Sequence, residues 1–129
     1  MKTKYDNRIE YTKNNKLHRL DGPACEYSDG DKYWYVEGKC HRTDGPACEL
    51  DNGDKEWWVE GKCHRLDGPA IEYSNGGKQW YVEGKRHRLD GPACEYSDGT
   101  KSWYIEDEYY SEIEFMHKLC PIQKPEYLK

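Results

Sequence analysis

The chain has 129 residues, of which 35% are apolar and 14% aromatic, and its 20 Lys and Arg against 25 Asp and Glu leave a formal net charge of −5. That length suits one ordinary domain, and the low apolar content argues against a deep aliphatic core and for a thin layered array whose units bury a modest face against their neighbours. The acidic balance disfavours a general nucleic-acid binder or a binder of anionic membranes, no apolar run approaches the roughly 20 residues of a membrane span, and the opening MKTKYDNRIE lacks the apolar segment of a signal peptide.

One stretch organises the chain. HRLDGPA stands at His18–Ala24, His64–Ala70 and His87–Ala93, and HRTDGPA at His41–Ala47. The histidines are 23 residues apart, and Trp34, Trp57, Trp80 and Trp103 keep the same step. A fixed period of this size is the mark of a repeat array.

Residues 1–17 read as an incomplete first unit that caps the array, with Tyr11 at the tryptophan position and Asn14-Asn15 able to supply left-handed turn residues. Residues 18–109 hold four 23-residue units. In the unit beginning at Pro23, Ala24–Ser28 is a short strand and Asp29-Gly30 a two-residue turn with both φ positive. Lys32–Glu37 is the second strand, Glu37-Gly38-Lys39 the next turn, and CHRTDGP the connection onward. Alternation puts Trp34 and Val36 on the buried side, and leaves the variable position Tyr33, Glu56, Gln79, Ser102 exposed. After Ile105 the pattern breaks: Glu106-Asp107-Glu108 replaces Glu-Gly-Lys, and no further HRxDGPA follows. Residues 110–129 read as a capping helix and tail. Ser111 and Glu114 form a capping box, Ile113, Phe115, Met116 and Leu119 an apolar stripe, Pro121 the helix end, and Gln123–Lys129 a loosely held tail.

A histidine, an arginine and an aspartate within five residues suggest an active site, but four copies argue for the corner that joins hairpins. A feature present in every unit more often builds the unit than binds one ligand. In this reading Asp44, Asp67 and Asp90 hold the turn, glycine allows an unusual φ, and Arg42, Arg65 and Arg88 pair with aspartates or glutamates or lie on an aromatic ring. His41, His64 and His87 are hydrogen-bonded in the corner. No copy carries an added nucleophile and base, so no catalytic residue is assigned and the chain is read as not an enzyme. Two sets are the binding candidates: the row Tyr35, Trp58, Tyr81, Tyr104, if one sheet face is open, and the acidic end with Glu106, Asp107, Glu108 and Glu112, as solvated charge or as a phosphate mimic in a partner's basic groove. No cofactor is implied.

Cysteines follow the period too. Cys25, Cys48 and Cys94 share a position with Ile71, which marks small apolar packing. Cys40 and Cys63 share another with Leu17 and Arg86, and Cys120 stands alone. No CxxC pair is present, so no metal site is assigned. A cytoplasmic location, with reduced thiols, is expected.

The succession Tyr/Trp-x-x-Glu-Gly-Lys-x-His, a strand, then Asp-Gly resembles the MORN repeat, a 23-residue β-hairpin unit, over about residues 9–106; the clearest copy is Trp57–Gly76. The HRLDGPA step departs from the usual HGxG pattern and looks like a variant found in proteins of tailed phages and giant viruses. The resemblance implies an all-β array of antiparallel hairpins, and MORN arrays generally act as scaffolds and protein-interaction surfaces. The resulting expectation is a non-enzymatic protein that binds another protein, in the form of a phage-encoded inhibitor of a host defence factor acting in the host cytoplasm. The alternative is a nucleotide- or sugar-sequestering protein that uses the aromatic row. Edge strands at the array's ends leave a homodimer open.

Overall fold

Two kinds of turn alternate along the chain and set its path. The Glu-Gly pairs are the tight ones: Glu37 (φ 50°) and Gly38 (φ 80°) are both left-handed, as are Glu60-Gly61 and Glu83-Gly84. This is the two-residue geometry that matches strand twist. Asn14 (φ 53°) and Asn15 (φ 65°) serve the first half unit in the same way, as expected. The Asp-Gly and Asn-Gly pairs do not form the expected two-residue turns. Gly30, Gly53, Gly76 and Gly99 are left-handed but the residues before them are not. A wider loop closes where the Asp31 carbonyl accepts the Tyr27 N–H. Asp29 Oδ1 accepts the Asp31 N–H at 3.0 Å, and Asn52, Asn75 and Asp98 act alike, so the side chain does the work assigned to φ.

The computed structural model describes residues 1–119; Cys120, the helix end expected at Pro121 and the tail Gln123–Lys129 lie outside them. The half unit supplies β1 (Lys2–Lys4), β2 (Arg8–Lys13) and β3 (Lys16–Leu17). The first full unit runs β4 (Cys25–Tyr27), β5 (Lys32–Tyr33), β6 (Tyr35–Val36), β7 (Lys39–Cys40). The second runs β8 (Cys48–Glu49), β9 (Lys55–Glu56), β10 (Trp58–Val59), β11 (Lys62–Cys63), and the third β12 (Ile71–Glu72), β13 (Lys78–Gln79), β14 (Tyr81–Val82), β15 (Lys85–Arg86). The last comprises β16 (Cys94–Glu95), β17 (Lys101–Ile105), β18 (Glu108–Tyr110) and helix α1 (Glu112–Leu119). The chain is mostly β, built of antiparallel hairpins with one short C-terminal helix.

The expected single strand Lys32–Glu37 bends at Trp34. Its first half, β5, joins a 12-stranded sheet in the order β1-β2-β4-β5-β8-β9-β12-β13-β16-β17-β18, with β3 on β2. Its second half, β6, pairs with β7 in a separate small hairpin, as β10 does with β11 and β14 with β15. Successive small hairpins are tied by the bonds Gly61 N–H to Cys40 O and Arg42 N–H to Trp58 O, repeated one unit on as Gly84 to Cys63 and Arg65 to Tyr81. The array therefore has two walls, a long sheet and a stack of hairpins, joined along the line of tryptophans.

The faces divide differently from the simple alternation. In the long sheet Cys25 is opposite Tyr33, Tyr33 opposite Cys48, Cys48 opposite Glu56, and Ile71 opposite both Glu56 and Gln79. The variable position Tyr33, Glu56, Gln79, Ser102 is thus half-buried beside the cysteines, not exposed, because it lies on the side toward which the two walls close. The opposite face carries Glu26, Lys32, Glu49, Lys55, Glu72, Lys78, Glu95 and Lys101 in cross-strand register, an alternating charge row. Continued one residue, this register sets Ala47 between Trp34 and Trp57 and Ala70 between Trp57 and Trp80, as the bonds Trp57 N–H to Ala70 O and Ala70 N–H to Gln79 O require. Ala24, Ala47, Ala70 and Ala93 are 0% exposed, while the tryptophans, expected to be the buried residues, are half-buried.

The last unit does not break after Ile105. Glu106 (φ 48°) and Asp107 (φ 70°) keep the tight turn without its glycine, and β18 returns along β17. Helix α1 begins with the expected reciprocal cap: the Ser111 N–H donates to Glu114 Oε1 at 2.9 Å and the Glu114 N–H to Ser111 Oγ at 3.2 Å. It rests on β17 and β18 through Phe115, which is buried. Of the rest of the expected apolar stripe, Leu119 is half-buried, while Ile113 is 68% and Met116 58% exposed.

Candidate functional site

Each corner holds the same arrangement. The Arg42 guanidinium lies 4.0 Å over the Trp34 ring, Arg65 3.9 Å over Trp57, Arg88 3.8 Å over Trp80, and Arg19 3.9 Å over Tyr11, which confirms Tyr11 as the tryptophan equivalent. Such a stack contributes about 0.5–2 kcal/mol depending on desolvation. Arg65 Nε donates to Asp67 Oδ1 at 3.0 Å, and its Nη1 to Pro69 O and to Glu72 Oε2, both at 3.0 Å. Arg42 uses Asp44, Pro46 and Glu49, and Arg88 uses Asp90, Pro92 and Glu95. The three arginine partners expected as alternatives are therefore used together. The aspartates act through the arginine, and Arg42 holds the Asp44 carboxyl below its ordinary range by that hydrogen bond.

The corner glycine has another role than the one expected. Gly22, Gly45, Gly68 and Gly91 are not left-handed. A Cβ on Gly68 would stand 3.0 Å from Arg65 Cζ, so glycine is required because the guanidinium is held between ring and backbone.

The histidines work between units. The Glu60 N–H donates to His41 Nδ1 at 2.9 Å, the Glu83 N–H to His64 Nδ1 at 2.9 Å, and the Glu106 N–H to His87 Nδ1 at 3.0 Å. Each imidazole thus carries its proton on Nε2 and steadies a glutamate held at positive φ in the next turn. His64→Ala is expected to cost about 1 kcal/mol and to speed hydrogen exchange at the Glu83 amide; an unchanged exchange rate there refutes this role.

The aromatic row comes out half-buried. Trp58 Nε1 donates to Glu56 Oε1 at 2.9 Å and the Tyr81 hydroxyl to Gln79 Oε1 at 3.3 Å, so the row leans on the variable position of the long sheet. Burial raises the Tyr35 and Tyr81 hydroxyls above their ordinary range, and pushes Tyr33 up to about 12. Tyr27, Tyr73 and Tyr96, on the same side, are 36%, 39% and 44% exposed and widen the row into an aromatic strip that the sequence alternation did not single out. Tyr27 meets Tyr33 edge-on at 5.9 Å, and Tyr104 meets Tyr109 at 5.6 Å.

The acidic end is partly spoken for. Asp107 Oδ1 accepts both the Arg86 N–H and Nε, each at 3.1 Å, and Arg86 lies 4.1 Å over Tyr104. Arg86 holds the Asp107 carboxyl below its ordinary range. Glu108 Oε2 accepts the Tyr110 hydroxyl, while Glu106 and Glu112 are exposed. Arg86, singular among the copies, is thus the counterpart of the missing turn glycine.

Among the described residues no group of three or more His, Cys, Asp or Glu is placed to hold a metal ion, and no helix is long and apolar enough to cross a membrane. The chain matches no known family model and no curated protein.

Proposed function

We propose that this chain is a non-enzymatic repeat protein that binds another protein through the aromatic strip formed by Tyr35, Trp58, Tyr81 and Tyr104 with Tyr27, Tyr73 and Tyr96. The observation that carries the reading is a division of labour. The His, Arg and Asp of every corner are engaged in internal contacts that recur from unit to unit, whereas the strip leaves large rings open along one side of a periodic scaffold. Rows of half-exposed aromatics anchor protein partners because they bury much area at little entropic cost. The MORN-like motif favours an interaction surface, and its HRxDGPA form gives the proposal its particular shape: a viral inhibitor of a host defence factor, acting in the host cytoplasm.

The test is capture from host lysate with the purified chain and with Trp58→Ala/Tyr81→Ala. A partner retained by the wild type and lost at least tenfold in the double variant, at unchanged thermal midpoint, supports the reading. Retention undiminished in the variant removes the strip from it. Failure to capture any protein, together with a thermal shift on adding nucleotides or sugars, transfers the strip to small-ligand sequestration.

A further inference from the structure

The two cysteine positions of the repeat lie eight residues apart on either side of each corner, as Leu17 and Cys25, Cys40 and Cys48, Cys63 and Ile71, and Arg86 and Cys94. A thiol occupies both sides at the second alone. There the Cys40 and Cys48 sulfurs lie 3.7 Å apart, so a disulfide at about 2.05 Å requires a closing movement of under about 2 Å.

We propose that Cys40 and Cys48 form a peroxide-reactive dithiol, a modification site in which Cys40 is oxidised first and Cys48 resolves it. The more open member is Cys40, which is half-buried, while Cys48 is 8% exposed. Charge therefore sits more cheaply on Cys40. Either thiol can donate in their shared hydrogen bond, and with Cys48 as the donor that contact draws the Cys40 thiol down from its ordinary range, while the contact and burial raise Cys48. The thiolate is the form that attacks peroxide. Burial pushes Cys63, the equivalent of Cys40 one unit on, up to about 12, and its corner holds Ile71 instead of a resolving thiol.

The chemistry balances with hydrogen peroxide as the oxidant. The Cys40 thiolate attacks one peroxide oxygen and the O–O bond breaks, giving Cys40 sulfenic acid and, after protonation, water. The Cys48 sulfur then attacks the Cys40 sulfur, the S–O bond breaks, and the hydroxyl leaves with the Cys48 proton as a second water. Two thiols are oxidised and one peroxide is reduced. The product bridges the HRTDGPA corner and pins the hairpin wall to the sheet at one place in the array. This inference does not depend on the proposed binding function.

The experiment treats the full chain, reduced and carrying Cys120→Ser so that the thiol outside the described residues takes no part, with equimolar hydrogen peroxide. The expected result is a mass loss of about 2 Da and a Cys40–Cys48 peptide on non-reducing digestion. In an added Cys48→Ser background, dimedone is expected to trap sulfenic acid at Cys40. A chain that keeps all its thiols under these conditions, or one whose first oxidation or cross-link falls at Cys25, Cys63 or Cys94, overturns the proposal. The digestion is read on the chain with both thiols in place, so it decides the matter even where Cys48→Ser unfolds.

Discussion

Arg65→Ala is expected to lower the stability of the array by about 3 kcal/mol, measured as the shift in denaturation midpoint at constant slope. Three losses combine. The stack on Trp57 goes, the Pro69 carbonyl loses its donor, and Glu72 loses its cationic partner in a half-buried setting. Asp67 adds little, because its side chain is 87% exposed and exposed pairs contribute at most about 1 kcal/mol. Arg65→Lys is the sharper control. It keeps the charge but not the planar fork that reaches Asp67, Pro69 and Glu72 while lying flat on a ring, so it is expected to recover less than half of the loss. Stability within about 0.5 kcal/mol of wild type for Arg65→Lys would mean that charge alone matters and that the stack is incidental. Gly68→Ala tests the same geometry from the other side, and its cost is expected to shrink when Arg65 is already alanine, because the crowding is between those two groups.

The other large effect belongs to the alanines. Ala70→Leu is expected to cost 3 kcal/mol or more, at the upper end of the roughly 1–3 kcal/mol usual for overpacking. Ala70 is fully buried between Trp57 and Trp80, and its N–H and carbonyl are both bonded to neighbouring strands. Neither the backbone nor the rings can shift without disturbing two arginine stacks at once. Thr43→Leu, at an exposed corner position that already holds Leu20, Leu66 and Leu89 in the other units, is the matched control and is expected to change stability by less than about 0.5 kcal/mol. Equal effects for the two substitutions would refute the assignment of the alanine row as the packing line of the array.

Much of this architecture was legible because the chain repeats. A 23-residue step in His and Trp sets the unit, and the substitutions among copies separate packing positions from free ones. Tyr11 in place of tryptophan, Asn14-Asn15 in place of Glu-Gly, and the Ser111/Glu114 cap were readable because each follows from local chemistry: a flat ring, a tolerance for positive φ, a pair of side chains that serve free N–H groups. The site was less legible. Alternation assumes that a strand stays in one sheet, and β5–β6 does not: the bend at Trp34 moves its second half to another wall, so Tyr33 faces the cysteines and the tryptophans lie at the seam. The acidic end misled for a related reason. Asp107 looks like free charge until Arg86, 21 residues earlier, is seen to hold it.

By itself, then, the sequence determined the period, the number of units, the turn positions and the helix cap, all of which rest on interactions within a few residues or on comparison between copies. Only the tertiary structure decided which glycines are needed for φ and which for space, which ring each arginine covers, that the small alanines and not the tryptophans are the fully buried line, and that Cys40 and Cys48 meet. Those outcomes depend on how two walls close upon each other, and closure is a property of neighbouring units stacked in space that no single unit carries in its own residues.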